Sequence, residues 1–311
     1  MRRRQRIDIQ EIVVPLDGSG TAEWALAPAH EIAEAAGARV RLVRCLTTLA
    51  RAFPDVTAAG YLDEWEERQQ AREAEYIGRM AGRLQEAGVD AVAETVSGDA
   101  ARGVVSAADE ADLVVMTAHG WSGPERAWLG HVTDAVVHHM RRPVLIVRAG
   151  SADPPEPLLG GRAAMTRILV ATDGSGAAQA AERYAAGLAG LLGARLTLFR
   201  AVQAPAGPSS PYIPHAAILD REAADEREEE ARRYLERRAA ELGDLETEVR
   251  TKATYHVARE ILEATDDVGA ALVAVGTHRD SRLARIVLGS VADKVVRGVR
   301  VPVLVAHTER E

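Results

Sequence analysis

Residues 168–202, ILVATDGSGAAQAAERYAAGLAGLLGARLTLFRAV, decide the architecture. A short apolar run, Ile168–Ala171, meets Asp-Gly-Ser-Gly. An alanine-rich stretch follows, Ala177–Leu192, and stops at Gly193. A second apolar run, Leu196–Val202, comes next. A brief β-branched run bounded by turn residues predicts a buried strand, and a long apolar-periodic stretch closed by glycine predicts a helix.

The stretch occurs twice. Residues 12–46 have the same layout, with Asp17 falling on Asp173, Gly37 on Gly193 and Arg44 on Arg200 at one constant offset. Further on, Gly130 falls on Gly289 and Pro143 on Pro302 after a net insertion of three residues. A period this long means duplicated domains rather than a solenoid. Between the copies, residues 149–163 are rich in proline and glycine and predict a linker, with the boundary near Gly160. The expected division is a first domain over 8–150, a linker over 151–163 and a second domain over 164–308.

Each half predicts the same series. The first half gives strand Ile12–Leu16, helix Ala22–Ala36, strand Val40–Leu46, a charged helix Leu62–Ala87, strand Asp90–Ser97, helix Ala101–Glu110, strand Leu113–Met116, helix Val132–Met140 and strand Val144–Val147. The second half repeats it, with the charged helix over Asp220–Leu242, then strand Glu246–Lys252, helix Val257–Asp266, strand Ala271–Val275, helix Val291–Gly298 and strand Val301–Val305. Alternating strands and helices imply an α/β fold with two tandem doubly wound domains, each a five-stranded parallel sheet of Rossmann-like type. In such sheets a ligand sits beyond the carboxyl ends of the strands, where the winding reverses.

Composition narrows the function. The 311 residues are 47% hydrophobic, enough for buried cores, and the net charge of −8 argues against a general nucleic-acid binder. After MRRRQR the apolar run is only Ile12-Val13-Val14, too short for a signal peptide, and no stretch is long enough to span a membrane, so the expected location is the cytoplasm. One cysteine, Cys45, excludes an internal disulfide framework. Only Lys252 and Lys294 are lysines and neither sits in a P-loop pattern. His138-His139 lacks the spacing of a metal pair, and no metal ligated by protein side chains is expected.

These features resemble the universal stress protein family in its tandem two-domain form. The resemblance covers most of the chain and rests on the strand-Asp-Gly-Ser start, the order of elements and the loop before the last helix. ATP-binding members carry G-x2-G-x9-G-[ST] in that loop. Here the second half has Gly276-x2-Arg279-x9-Gly289-Ser290, without the middle glycine. The first half has Thr117-x2-Gly120-x9-Gly130-His131, without the leading glycine and the closing hydroxyl. The resemblance implies an adenine nucleotide alpha hydrolase-like fold and ATP as the ligand, with Mg2+ arriving on the nucleotide.

It also implies where the nucleotide would lie: in the first half against Pro15, Leu16, Asp17, Cys45, Thr117, Gly120, Gly130, His131, Val132 and Thr133, and in the second against Ala171, Thr172, Asp173, Ala201, Gly276, Arg279, Gly289, Ser290 and Val291. Cys45 and Ala201 would pack on adenine and the two aspartates would accept hydrogen bonds from the nucleoside. The residues themselves leave alternatives open. Asp17 and Asp173 suit turn and cap roles equally. Cys45 suits a small buried hydrophobe. Arg279 either crowds a phosphate cradle or pairs with phosphate oxygens. Gly289-Ser290 would open a helix whose free N–H groups attract anions, and His131 would donate to phosphate in the first half. His119 and His278 fall at matching places in the two loops.

No activated nucleophile or positioned base is present: Asp-Gly-Ser-Gly is not G-x-S-x-G and no H-E-x-x-H occurs. A binding module is therefore preferred, in which nucleotide orders loops 117–131 and 276–290 and alters a protein interface. A nucleotide-free scaffold is the alternative, and a slow ATPase a weaker one. The helix 220–241 predicts a solvated charged face, with Trp65, Tyr76 and Tyr234 packing inward. Family relatives imply that the halves pack as a pseudo-dimer through their last strands, and that whole chains form homodimers. The protein partner is not specified.

Overall fold

A computed structural model describes residues 7–46, 59–118, 129–149, 165–204, 214–280 and 285–308. The chain divides into two units, one formed by Asp8–Ala164 with Asp280–Ile286, the other centred on Met165–Arg279 and Val287–Glu311.

In the first unit the elements are β1 (Glu11–Pro15), α1 (Gly20–Glu23), α2 (Leu26–Ala36), β2 (Arg39–Leu46), α3 (Ala59–Glu86), β3 (Ala91–Ser97), α4 (Ala100–Ala107), β4 (Leu113–Ala118), α5 (His131–His139) and β5 (Val144–Arg148). Its five strands are ordered β3-β2-β1-β4-β5 and each adjacent pair is parallel. Ile12, Val13 and Val14 of β1 are fully buried, as are Val114 and Val115 of β4. Burying each such side chain contributes about 1.5–3 kcal/mol, which fixes β1 and β4 as the centre of the sheet.

The second half carries β6 (Arg167–Ala171), α6 (Gly176–Leu192), β7 (Arg195–Gln203), α7 (Pro214–Glu241), β8 (Thr247–Thr254), α8 (Val257–Asp267), β9 (Leu272–Asp280), β10 (Arg285–Val287), α9 (Ser290–Gly298) and β11 (Val303–His307). Its order, β8-β7-β6-β9-β11, repeats that of the first half, again in parallel. The chain is therefore α/β with two doubly wound units. In each, the winding reverses between the first strand and the fourth, which opens a crevice at the carboxyl edge.

Three local expectations are corrected. The first helix of the first half is broken: α1 ends at Glu23, Trp24 and Ala25 form a turn, and α2 resumes at Leu26. The fourth strand of the second half continues through Thr277, His278 and Arg279 to Asp280, where a loop was expected. Its ladder with β11 extends to the pair His307↔Thr277, and β10 pairs with β9 as well, so strand pairing with two neighbours accounts for the extension. Trp65 is exposed on α3 instead of packing inward. Both predicted glycine stops hold, Gly37 and Gly193 each ending a helix in the left-handed region. Among the described residues no helix is long and apolar enough to cross a membrane.

Candidate functional site

The Asp-Gly-Ser-Gly turns are built alike. Asp17 Oδ1 accepts the Ser19 N–H at 2.9 Å, and Asp173 Oδ1 accepts the Ser175 N–H at 2.8 Å. Ser19 Oγ then accepts the Ala22 N–H and Ser175 Oγ the Ala178 N–H, capping α1 and α6. Gly18 and Gly174 turn at φ 82° and 84°, a backbone that only glycine adopts without strain. Both aspartates therefore hold their own turns.

In the second half this turn borders a cavity of about 250 Å³. Ala171, Thr172 and Asp173 line one side. Phe199 and Ala201 of β7, with Val257 and Ile261 of α8, form an apolar wall. Val275 and Gly276 of β9 form the floor, and Gly289, Ser290, Val291, Ala292 and Val295 close it from the last helix. Eight of the second-half residues named from the sequence thus share one lining: Ala171, Thr172, Asp173, Ala201, Gly276, Gly289, Ser290 and Val291. Arg279 is placed by its backbone in β9, three residues beyond Gly276. Sequence reasoning missed Phe199, Val257, Ile261 and Val295. The i, i+4 spacing of Val257 and Ile261 at a helix start was the available signal.

Gly276 is required by packing. A Cβ there would lie 2.1 Å from the Ala177 carbonyl oxygen, because the start of α6 rests directly on β9. Gly289 precedes α9 with open space around its Cα, and Ser290 and Val291 are exposed at the helix start. Free N–H groups at the start of this nine-residue helix face the cavity rim with the positive end of its dipole. Chemically, the site offers an apolar slot for a flat ring and an anion-binding end.

A buried network backs the turn. Thr172 Oγ1 donates to Glu182 Oε1 at 2.6 Å and accepts the Gly174 N–H at 3.2 Å. Glu182 is buried and its other oxygen accepts Arg238 Nε at 2.9 Å. Burial works against the charge on Arg238, but hydrogen bonding and Coulomb attraction from Glu182 leave its pKa raised. Arg200 lies over the Tyr234 ring, 5.3 Å from its centroid, beneath Gly174. Burial, aided by Glu182, raises the Tyr234 phenol.

The first half departs from this plan. Thr117 stands where Gly276 does, and its hydroxyl donates to the Ala22 carbonyl at 3.3 Å. The interruption at Trp24–Ala25 follows immediately after this bond. Thr133 is buried and donates to the Thr117 carbonyl at 3.3 Å, so two predicted site residues bind one another. Cys45 faces α4, its Sγ 3.5 Å from the Ala100 carbonyl and against Gly103. Burial raises its thiol pKa, with Arg44 opposing. Arg44 donates to Glu73 at 2.7 Å, whereas its counterpart Arg200 stacks on an aromatic ring. Leu16 donates its N–H to Val43, and Pro15 ends β1 beside it. Gly130 turns at φ 82° ahead of α5, placing His131 exposed and Val132 half-buried at the helix start. His119 and Gly120 lie outside the described residues, and His278 is a β9 residue.

Comparison with known proteins agrees with this architecture. A universal stress protein of Mycobacterium tuberculosis is 27% identical over 207 residues, 66% of this chain and 64% of that protein, so the match spans under two thirds of the relative's own length. One from Methanocaldococcus jannaschii is 30% identical over 141 residues, 45% of this chain and 82% of that one. The crystal structure of a universal stress protein from Archaeoglobus fulgidus superposes with a TM-score of 0.71 at 19% identity, covering 97% of this chain and all of that one, which shows a shared fold. The universal stress protein family model matches twice, at residues 8–148 and 165–307. With both halves matched by one family model, the chain belongs to the universal stress protein family and carries two tandem domains of it.

Proposed function

We propose that the second domain binds an adenine nucleotide and that occupancy regulates an interaction with another protein. The supporting observation is a continuous cavity at the carboxyl edge, which joins an apolar wall of Phe199, Ala201, Val257 and Ile261 to the α9 start at Gly289-Ser290. The base would lie on the wall, with Ala201 beneath it, and the phosphates would run toward the helix start. Asp173 would face the ribose from the end of β6. ATP-binding family members place a glycine-rich loop at this edge, and Gly276 and Gly289-Ser290 keep its two ends here. Mg2+ would arrive with the phosphates, which need few protein ligands for it.

In the first domain, Thr117 takes the place of the leading glycine and bonds to Ala22. This favours a structural role for that half, in line with the scaffold reading. Isothermal titration of the full chain with ATP and with AMP tests the proposal. The expected stoichiometry is one nucleotide per chain, with binding lost in Ala201→Trp, which fills the slot, at unchanged melting temperature. No saturable heat with either nucleotide would leave the scaffold reading in place.

A further inference from the structure

The outermost strands of the two sheets are paired alike and finished differently. In the second half Leu196 donates its N–H to the Glu246 carbonyl and Ala204 to that of Thr254, so even-numbered residues of β8 bond to β7. Odd-numbered residues then direct their N–H and C=O groups away from the sheet. The outward amide of Ala253 is taken by Glu228 Oε2 at 2.9 Å, and Thr251 donates its hydroxyl to the other oxygen at 3.3 Å. Glu248, Arg250 and Lys252 add charge along the strand. This is how natural sheets prevent a foreign strand from pairing.

Among the described residues, no side chain takes an outward amide of β3. Val40 donates to the Asp90 carbonyl and Gly98 to that of Leu46, so the outward residues are again odd-numbered: Ala91, Ala93, Thr95 and Ser97. The Ala91 carbonyl is covered by the Gln85 amide at 2.6 Å. Among the described residues no strand pairs with β3 on its outer side. Ala93, Thr95 and Ser97 are exposed and Val92 is 37% exposed. The strand holds no proline or lysine, and its one charge, Glu94, is tied to Arg41 at 2.7 Å.

Beside this margin, on its α4 side, lies a groove of about 590 Å³ lined by Glu94, Ser97, Asp99, Arg102, Asp109 and Glu110. Arg41 also borders it but is shared between Glu11 and Glu94, both at 2.7 Å. With Glu94 paired to Arg41, three further carboxylates, Asp99, Asp109 and Glu110, stand against one guanidinium, Arg102, and give the groove an acidic balance.

We propose that the outer margin of β3 accepts an extended polypeptide segment with basic side chains at alternate positions, added to the sheet as a further strand. The main-chain groups of Ala93, Thr95 and Ser97 supply the pairing. Every second side chain of the incoming strand falls on the α4 side, over the carboxylates. A second copy of this chain docking through the same margin would bring two acidic grooves together, which like-charge repulsion disfavours.

The test uses the full-length chain and a fluorescein-labelled nonapeptide of alternating threonine and arginine, read by anisotropy at about 0.1 M salt, where surface attraction is already screened beyond about 10 Å. Two control peptides accompany it: one N-methylated at alternate residues, which keeps the charge but cannot pair, and one with glutamate for arginine. The expected result is saturable binding of the first peptide and roughly ten-fold or greater weakening with either control. Thr95→Pro removes one outward amide and leaves the ladder to β2 intact, so it should weaken binding as strongly at unchanged circular dichroism. Asp109→Asn combined with Glu110→Gln should weaken it as well. Equal binding of the methylated and unmodified peptides, or absence of binding, overturns the proposal even if Thr95→Pro fails to fold. A concentration-dependent dimer that Thr95→Pro converts to monomer would identify a second copy as the occupant and overturn it too.

Discussion

Gly276 and Ala177 are in main-chain contact: the Ala177 carbonyl oxygen occupies the place where a side chain at 276 would begin, 2.1 Å from an added Cβ. In the first domain the side chain is present, as Thr117, and the helix that would rest there is broken after Glu23. Gly276→Ala should therefore displace the start of α6 and destabilise the second domain by about 1–3 kcal/mol, as overpacking does. Urea denaturation of the full chain measures the loss. An unchanged midpoint would mean that the helix start yields freely.

Glu182 offers a second test. Its side chain is 2% exposed and serves both Arg238 and the Thr172 hydroxyl. Glu182→Ala leaves the guanidinium with Glu241 at the surface but strands the hydroxyl, for an expected cost of about 2–4 kcal/mol. Glu182→Gln should cost less, since an amide oxygen still accepts from Thr172. Comparing the two variants by denaturant midpoint separates loss of the charge from loss of the acceptor.

Cys45 should react slowly. Burial holds its thiol above the ordinary range despite the neighbouring Arg44. The thiolate is the nucleophile, so alkylation by iodoacetamide near pH 8 should lag that of the unfolded chain, and the native rate should go on rising with pH after the unfolded rate has levelled off. Mass spectrometry of timed aliquots gives the rate. A native rate equal to the unfolded one would show the thiol to be open.

Two tyrosines set an alkaline limit. Burial, reinforced by Glu23, raises the Tyr76 phenol, which donates to Glu23 at 3.1 Å; burial and Glu182 raise that of Tyr234. The folded chain keeps these protons where the unfolded chain releases them, at about pH 10. Their contribution to stability is therefore complete below that pH and falls as the pH rises from there through the folded values. The urea midpoint should drop between pH 9 and pH 11, and Tyr76→Phe should flatten the drop. A parallel decline in the variant would assign the loss to other groups.

Much of the fold was legible because its signals are local. The Asp-Gly-Ser-Gly turns, the apolar runs at Ile12 and Ile168 and the stops at Gly37 and Gly193 are each set by a few adjacent residues. The site was legible where glycine or a small residue borders a strand end, as at Ala201, Gly276 and Gly289. What escaped depends on distant partners. The break at Trp24–Ala25 accompanies a bond from Thr117, 95 residues from Ala22. The extension of β9 past Val275 depends on its pairing with β11 and with β10. Phe199 and Ile261 meet only once β7 and α8 are packed. Nothing in the spacing around Glu228 announces that it covers the amide of Ala253.

That carboxylate has a consequence for how such a chain evolves. Duplication gives every surface a spare, and here a single codon, the one for Glu228, helps keep one spare shut. Replacing it would unmask the amide of Ala253 without disturbing a buried core, so a tandem protein can acquire or retire a partner on one repeat while the other continues its work.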